Sequence, residues 1–168
     1  MFHLSGLADT AVRESHDRIV AALLNNGYKF PVADVTVNMA PADLRKEGSG
    51  YDLPLAIGIL SAMDKVDAEH LAEYMLVGEL GLDGRLQPVR GALPIAIRAR
   101  KEKFKGLIVP KQNIREAAVV NNLDVYGMEN LADVVAFFNG TAEFEPMRID
   151  TRREFYEQQG NFELDFAD

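Results

Sequence analysis

The chain has 168 residues, of which 48% are hydrophobic and 26% charged, with a formal net charge of −8 and no cysteine. These values fit one globular domain able to bury a real core, and they exclude a disulfide framework, a thiolate metal site and a cysteine nucleophile. The longest apolar run, about residues 53–63, is too short to span a bilayer, and no basic stretch followed by an apolar one opens the chain. The expectation is a cytoplasmic protein with no membrane contact.

In chain order, "FHLSG" reads as the end of a strand. An amphipathic helix follows, capped by Asp9 or Thr10, with Val12, Ile19, Val20, Leu23 and Leu24 at helical spacing and Gly27 as its stop. "DVTVNMA" alternates as a strand should, and Pro41 ends it. After a loop carrying Gly48-Ser49-Gly50, Asp52 is expected to cap a buried helix over residues 53–63, with Pro54 in its tolerant first turn. "YMLVGELGLDGRLQPV" is two strand-like runs about Asp83-Gly84, a pair suited to a hairpin turn with positive φ at both residues. The spacing then predicts a helix over residues 91–104, a strand in "GLIVP", a helix in "NIREAAVVNN", a strand in "LDVYG" and a helix in "NLADVVAFFNG" closed by Gly140. Short apolar strands alternating with such helices mean βαβ units, hence an α/β domain with a partly parallel sheet. Residues 141–168 carry eight acids against three arginines and read as an acidic linker.

Charge is unevenly spread, since residues 85–111 hold eight basic side chains against one acid, Glu102. On a helix over residues 91–104, Arg98, Lys101 and Lys105 are spaced three and four apart and form one face, with Arg90 at its start. Such a face is either a solvated surface balancing acids elsewhere or a contact for nucleic-acid phosphates.

Other chemistries find little footing. Neither G-x-G-x-x-G nor a glycine-rich loop ending in Lys-Ser or Lys-Thr occurs. His3, His16 and His70 are scattered, without a carboxylate or second histidine at ligand spacing, so no metal site is expected. "EGSGY" misses the G-x-S-x-G pattern by one place, which leaves a Ser-Lys dyad as the remaining nucleophilic arrangement.

The order "PADLRKEGSGYDLPLAIGIL", "VGELGLDGRLQPVRGALPIAI", "GLIVPKQN" resembles the Lon-like domain at the front of the magnesium-chelatase-like AAA+ ATPases, the ComM/YifB family. The likeness runs from about residue 4 to residue 140, and "FELDFAD" is similar to the lead-in to that family's ATPase module. The resemblance implies the Lon protease-like, ribosomal protein S5 domain 2-like fold, a mixed sheet with helices packed on it. It implies a Lon-like domain over residues 1–140 lacking its first strands, then a linker to an absent AAA+ module, where ATP and magnesium would belong. In Lon proteases a serine and a lysine form the dyad. Residue by residue, the serine's place falls on Gly50 and the lysine's on Leu93, so both are vacant. Ser49 lies one residue early, and Lys46 is the rescue candidate for its base; Lys101 and Lys103 lie about 12–15 Å along the helix from Leu93. The resemblance further implies DNA processing in competence, branch migration and hexameric assembly. The expected function is thus a non-catalytic accessory domain supporting ring assembly or DNA contact. A Ser-Lys peptidase using Ser49 and a purely structural oligomerisation module are the alternatives.

Overall fold

The computed structural model describes residues 2–6, 10–29, 35–39 and 50–149, with 2–6, 10–13 and 35–39 described through their backbone. Two extended segments, β1 (Phe2–Gly6) and β2 (Val35–Met39), pair in parallel with Leu4 opposite Val37. Between them lies helix α1 (Thr10–Asn25), whose buried positions Ser15, Ile19, Ala22 and Leu23 follow the 3.6-residue period. Its stop is as expected: Gly27 sits at φ +83°, and the Tyr28 N–H returns to Leu23 O at 3.0 Å. Leu24, expected on the apolar face, is 53% exposed instead. It lies one residue past that stripe.

Helix α2 (Asp52–Ala62) is apolar on nearly all sides, and seven of its residues are buried. A helix of that kind belongs inside a core. Next come the short strands β3 (Tyr74–Leu76), β4 (Glu79–Leu80) and β5 (Leu86–Gln87), then helix α3 (Ala92–Lys101), strand β6 (Gly106–Pro110), helix α4 (Ile114–Ala118), strand β7 (Asp124–Met128) and helix α5 (Leu131–Asn139). A parallel sheet of order β3-β6-β7 forms the centre, with Ile108 opposite Leu76 on one side and Tyr126 on the other. The expected mixed sheet is divided, among the described residues, into this parallel sheet, the parallel β1-β2 pair and the antiparallel β4-β5 hairpin.

Alternation along β6 separates two cores. Leu107 and Val109 pack with Ala92, Ala96 and Ala99 of α3 and Ala117 of α4, whereas Ile108 packs with α1, α2 and α5. The three alanines leave no bulk between α3 and the sheet. On the other face Tyr74, Tyr126, Phe137 and Phe138 meet edge-on or tilted, with centroids 4.9–6.2 Å apart. Helix α5 is held at both ends as its sequence predicts: Asn130 accepts from the Asp133 N–H at 2.9 Å, and Gly140 stands at φ +69°. Residues 141–149, read from sequence as the start of a linker, lie back along β7, where the Met147 N–H reaches Val125 O at 2.8 Å.

The β4-β5 connection has a three-residue loop in which only Gly84 has positive φ, +93°. The expectation of two such residues is corrected because the Gly84 N–H first closes a turn on Gly81 O, and the extra residue forms a glycine bulge. The loop is clasped from both sides. Asn25 and Asn26 donate to Leu82 O and Asp83 O, and Gly84 O accepts the first amide of α5 from Leu131 at 2.8 Å. A Cβ on Gly84 would collide with the Asn26 amide. Gly84→Ala is therefore expected to destabilise the chain by about 2 kcal/mol, strain and broken clasp together, read as a lower denaturant midpoint at constant slope.

Candidate functional site

Ser49 and Lys46 lie outside the described residues. The position matched to the Lon nucleophile, Gly50, is a turn residue whose carbonyl accepts from the Gly78 N–H at 3.0 Å. A Cβ built there stands 3.0 Å from Val77 Cγ2 and 3.7 Å from Val89 Cγ1, so a serine would press on an aliphatic wall. Leu93, matched to the lysine, is half-buried against the α3 core, and its N–H donates to Glu116 Oε1 at 3.2 Å. A lysine acting as base needs its pKa lowered. Lys111 is pushed the other way by its 2.8 Å hydrogen bond to Glu129, whose carboxyl is lowered by the same contact.

Asp52 does not cap α2. Its carboxylate is fully buried and receives the Arg18 Nε–H at 2.7 Å, an Arg18 Nη2–H at 3.1 Å and the Leu80 N–H at 2.9 Å. That bond to Asp52 holds the Arg18 guanidinium above its ordinary pKa, against the opposing effect of burial. Ser15 Oγ accepts a further Arg18 hydrogen at 3.1 Å. One carboxylate thus ties α1, α2 and β4 together just beside Gly50, while the Leu53 N–H to Gly78 O bond closes the same corner. The sequence signal was an acid opening an otherwise apolar helix; its partner, 34 residues away, carries no local mark. Asn113 is a second buried polar group missed in sequence, bridging the Val89 N–H and C=O at 2.9 Å each.

The basic face differs from expectation. Helix α3 ends at Lys101, Lys103 turns the chain at φ +64°, and the Phe104 N–H closes on Ala99 O. Lys105 is thereby taken off the helix face and set against β3, its N–H on Glu73 O and its ammonium 5.8 Å from the Tyr74 ring centre. Arg98 is engaged by Glu102 at 3.2 Å, one turn on. Arg90, exposed, precedes Gly91 at φ +77°. Arg90, Arg100, Lys101, Lys103 and Lys105 are all exposed and have no acidic partner among the described residues. Cations in the last turn of α3 also complement its dipole. Two histidines stand beside carboxylates: His70 Nδ1 lies 2.8 Å from Glu73 Oε2 and His16 Nδ1 lies 3.3 Å from Asp17 Oδ1. No group of three or more His, Cys, Asp or Glu side chains able to hold a metal occurs among the described residues.

A parallel sheet between two helical layers, a hairpin feeding α3, and apolar surroundings at Gly50 and Leu93 define a mixed α/β domain of the ChlI/Lon-like type. The chain belongs to the family described as subunit ChlI of Mg-chelatase, whose model matches residues 1–113. It is 48% identical over 139 residues to the competence protein ComM of Haemophilus influenzae, covering 83% of this chain and 27% of that protein. Identity is 44% over 140 residues to the uncharacterised protein YifB of Escherichia coli K12, covering 83% and 28%. Lon protease 2 of Bacillus subtilis is more distant, 23% identical over 145 residues, covering 83% and 25%. The chain thus spans about a quarter of the length of these relatives. No helix among the described residues is long and apolar enough to cross a membrane.

Proposed function

We propose that this chain is a non-catalytic accessory domain of a magnesium-chelatase-like AAA+ ATPase and that its α3 edge contacts DNA phosphates. The observation that carries the reading is the group of five exposed cations, Arg90, Arg100, Lys101, Lys103 and Lys105, without acidic partners among the described residues, on a chain whose net charge is −8. Such a group of clustered cations on an acidic protein can attract a polyanion locally. The kinship with a competence protein supports the choice of DNA. Arg98, singled out from sequence, is a weaker contact on this reading because Glu102 already holds it. ATP and magnesium belong to an ATPase module outside this chain, working as a cytoplasmic hexamer. The crowding at Gly50 and the apolar packing of Leu93 support the absence of peptidase chemistry.

Fluorescence anisotropy of labelled DNA at two salt concentrations tests this. Binding by the parent chain is expected to fall steeply with salt, and Lys101→Ala with Lys103→Ala to weaken it about tenfold and reduce the salt slope by about 2. Absence of binding at low salt by folded protein overturns DNA contact and leaves the structural oligomerisation module. Peptide hydrolysis abolished by Ser49→Ala would instead establish the Ser-Lys peptidase.

A further inference from the structure

Beyond the end of α3, Lys105 lines an open groove of about 380 Å³ together with Arg148, from the segment lying back along β7. Asp124 grips Arg148 from one side only: Nε and Nη2 donate to the same oxygen, Oδ1, at 3.2 and 2.6 Å. Nη1 has no partner among the described residues, so the guanidinium is held in place with its outer edge unused. Lys105 is likewise steadied over the Tyr74 ring, with no acidic partner among the described residues. With Asp124 balancing one of the two cations, the groove keeps a net charge of +1. Its floor includes the buried aliphatic residues Val120 and Leu123. At its rim stand the exposed amides of Asn121 and Asn122, which have no hydrogen-bond partners among the described residues. Asn122 is at φ +62°, a conformation asparagine tolerates.

We propose that this groove seats one nucleotide of a single-stranded nucleic acid, its phosphate between Lys105 and the open edge of Arg148 and its base on the Val120–Leu123 floor beside the two amides. The inference rests on the phosphate-contact reading above and deepens it. Lys101 and Lys103, exposed at the end of α3, precede Lys105 by four and two residues. Amides offer donors and acceptors together, which suits the varied edges of bases. Those edges and the base faces are free in a single strand and withdrawn in a duplex. A groove of this size takes one base, not a helix.

The test is anisotropy titration of the full chain with labelled oligothymidylate and with a duplex of equal length. Asn121→Ala with Asn122→Gly keeps every charge and suits the positive φ, both sites being exposed. It is expected to weaken the single strand about five- to tenfold and the duplex by less than about twofold. Arg148→Gln is expected to weaken the single strand more than the duplex, whereas Lys101→Ala with Lys103→Ala weakens both. If the groove variants bind like the parent while the lysine variant does not, the groove inference is overturned and the phosphate reading stands. A parent that binds neither form at low salt overturns both. Polyglutamate that displaces the strand and loses affinity equally in the amide variant also overturns the inference, in favour of an acidic polypeptide occupant.

Discussion

Arg18→Met is expected to destabilise the chain by about 3–5 kcal/mol, because it leaves the fully buried Asp52 carboxylate without its cation. At about 2–4 °C per kcal/mol for a chain of this size, the thermal midpoint should fall by roughly 10 °C. Asp52→Ala is expected to cost less. The Arg18 side chain retains 19% exposure and has Glu14 at 3.9 Å, so its charge can turn to water and to a second acid. The Leu80 N–H, by contrast, would lose its acceptor. A double variant, Arg18→Met with Asp52→Asn, keeps an acceptor for Leu80 and removes both charges. It should recover most of the loss, and a double-mutant cycle in urea, closed with the single variant Asp52→Asn, measures the coupling. If the two single substitutions add without coupling, the pair is not the tie between α1, α2 and β4 described above.

Phe137→Ala is the second large effect, about 3 kcal/mol, at the lower end for a phenylalanine because the ring is only half-buried. Phe137 stands 5.1 Å from Tyr74, 4.9 Å from Tyr126, 5.2 Å from Phe138 and 6.2 Å from Phe144, so one ring joins α5, β3, β7 and the segment that follows Gly140. Losing it should loosen Phe144 and with it the Met147 strand bridge that carries Arg148 to the groove. Amide exchange reads both consequences. The Met147 N–H should exchange faster by more than the global loss of stability accounts for, while the amides of β6, buried along their whole length, follow the global value. Equal acceleration at both places would mean that Phe137 contributes to the core alone.

How much of this could be read in advance depends on where the determining atoms lie. "GLIVP" announces β6 because a strand buried on both faces needs only apolar residues. Helix α5 announces its limits because Asn130 and Gly140 act on backbone groups within one turn of themselves. Asp83-Gly84 marks the hairpin, though the choice of a glycine bulge over a two-residue turn depends on the clasp from Asn25, Asn26 and Leu131. Gly50 and Leu93 could be matched to the Lon positions from motif order, but the aliphatic wall at Gly50 comes from Val77 and Val89 on later segments.

Asp52 shows the opposite case. From sequence it has the type and place of a helix cap, and a cap is what local chemistry prefers. Packing of α1 against α2 brings a guanidinium and the Leu80 amide to the same spot, and three charge-assisted bonds outweigh one capping bond. Spacing puts Lys105 on a helix face, yet α3 ends at Lys101 and Lys103 turns the chain, so residue 105 answers to Glu73 and Tyr74 instead. By itself, then, the sequence determined the succession of strands and helices, the apolar layers and the excess of cations over residues 85–111, all of which depend on period, turn chemistry and composition. Only the tertiary structure decided that Arg18 meets Asp52, which of those cations have no acidic partner among the described residues, and that Arg148 and Lys105 line one groove. The first and last of these join side chains tens of residues apart, and it is the packing of the two cores on the central sheet, not any local preference, that brings them within reach.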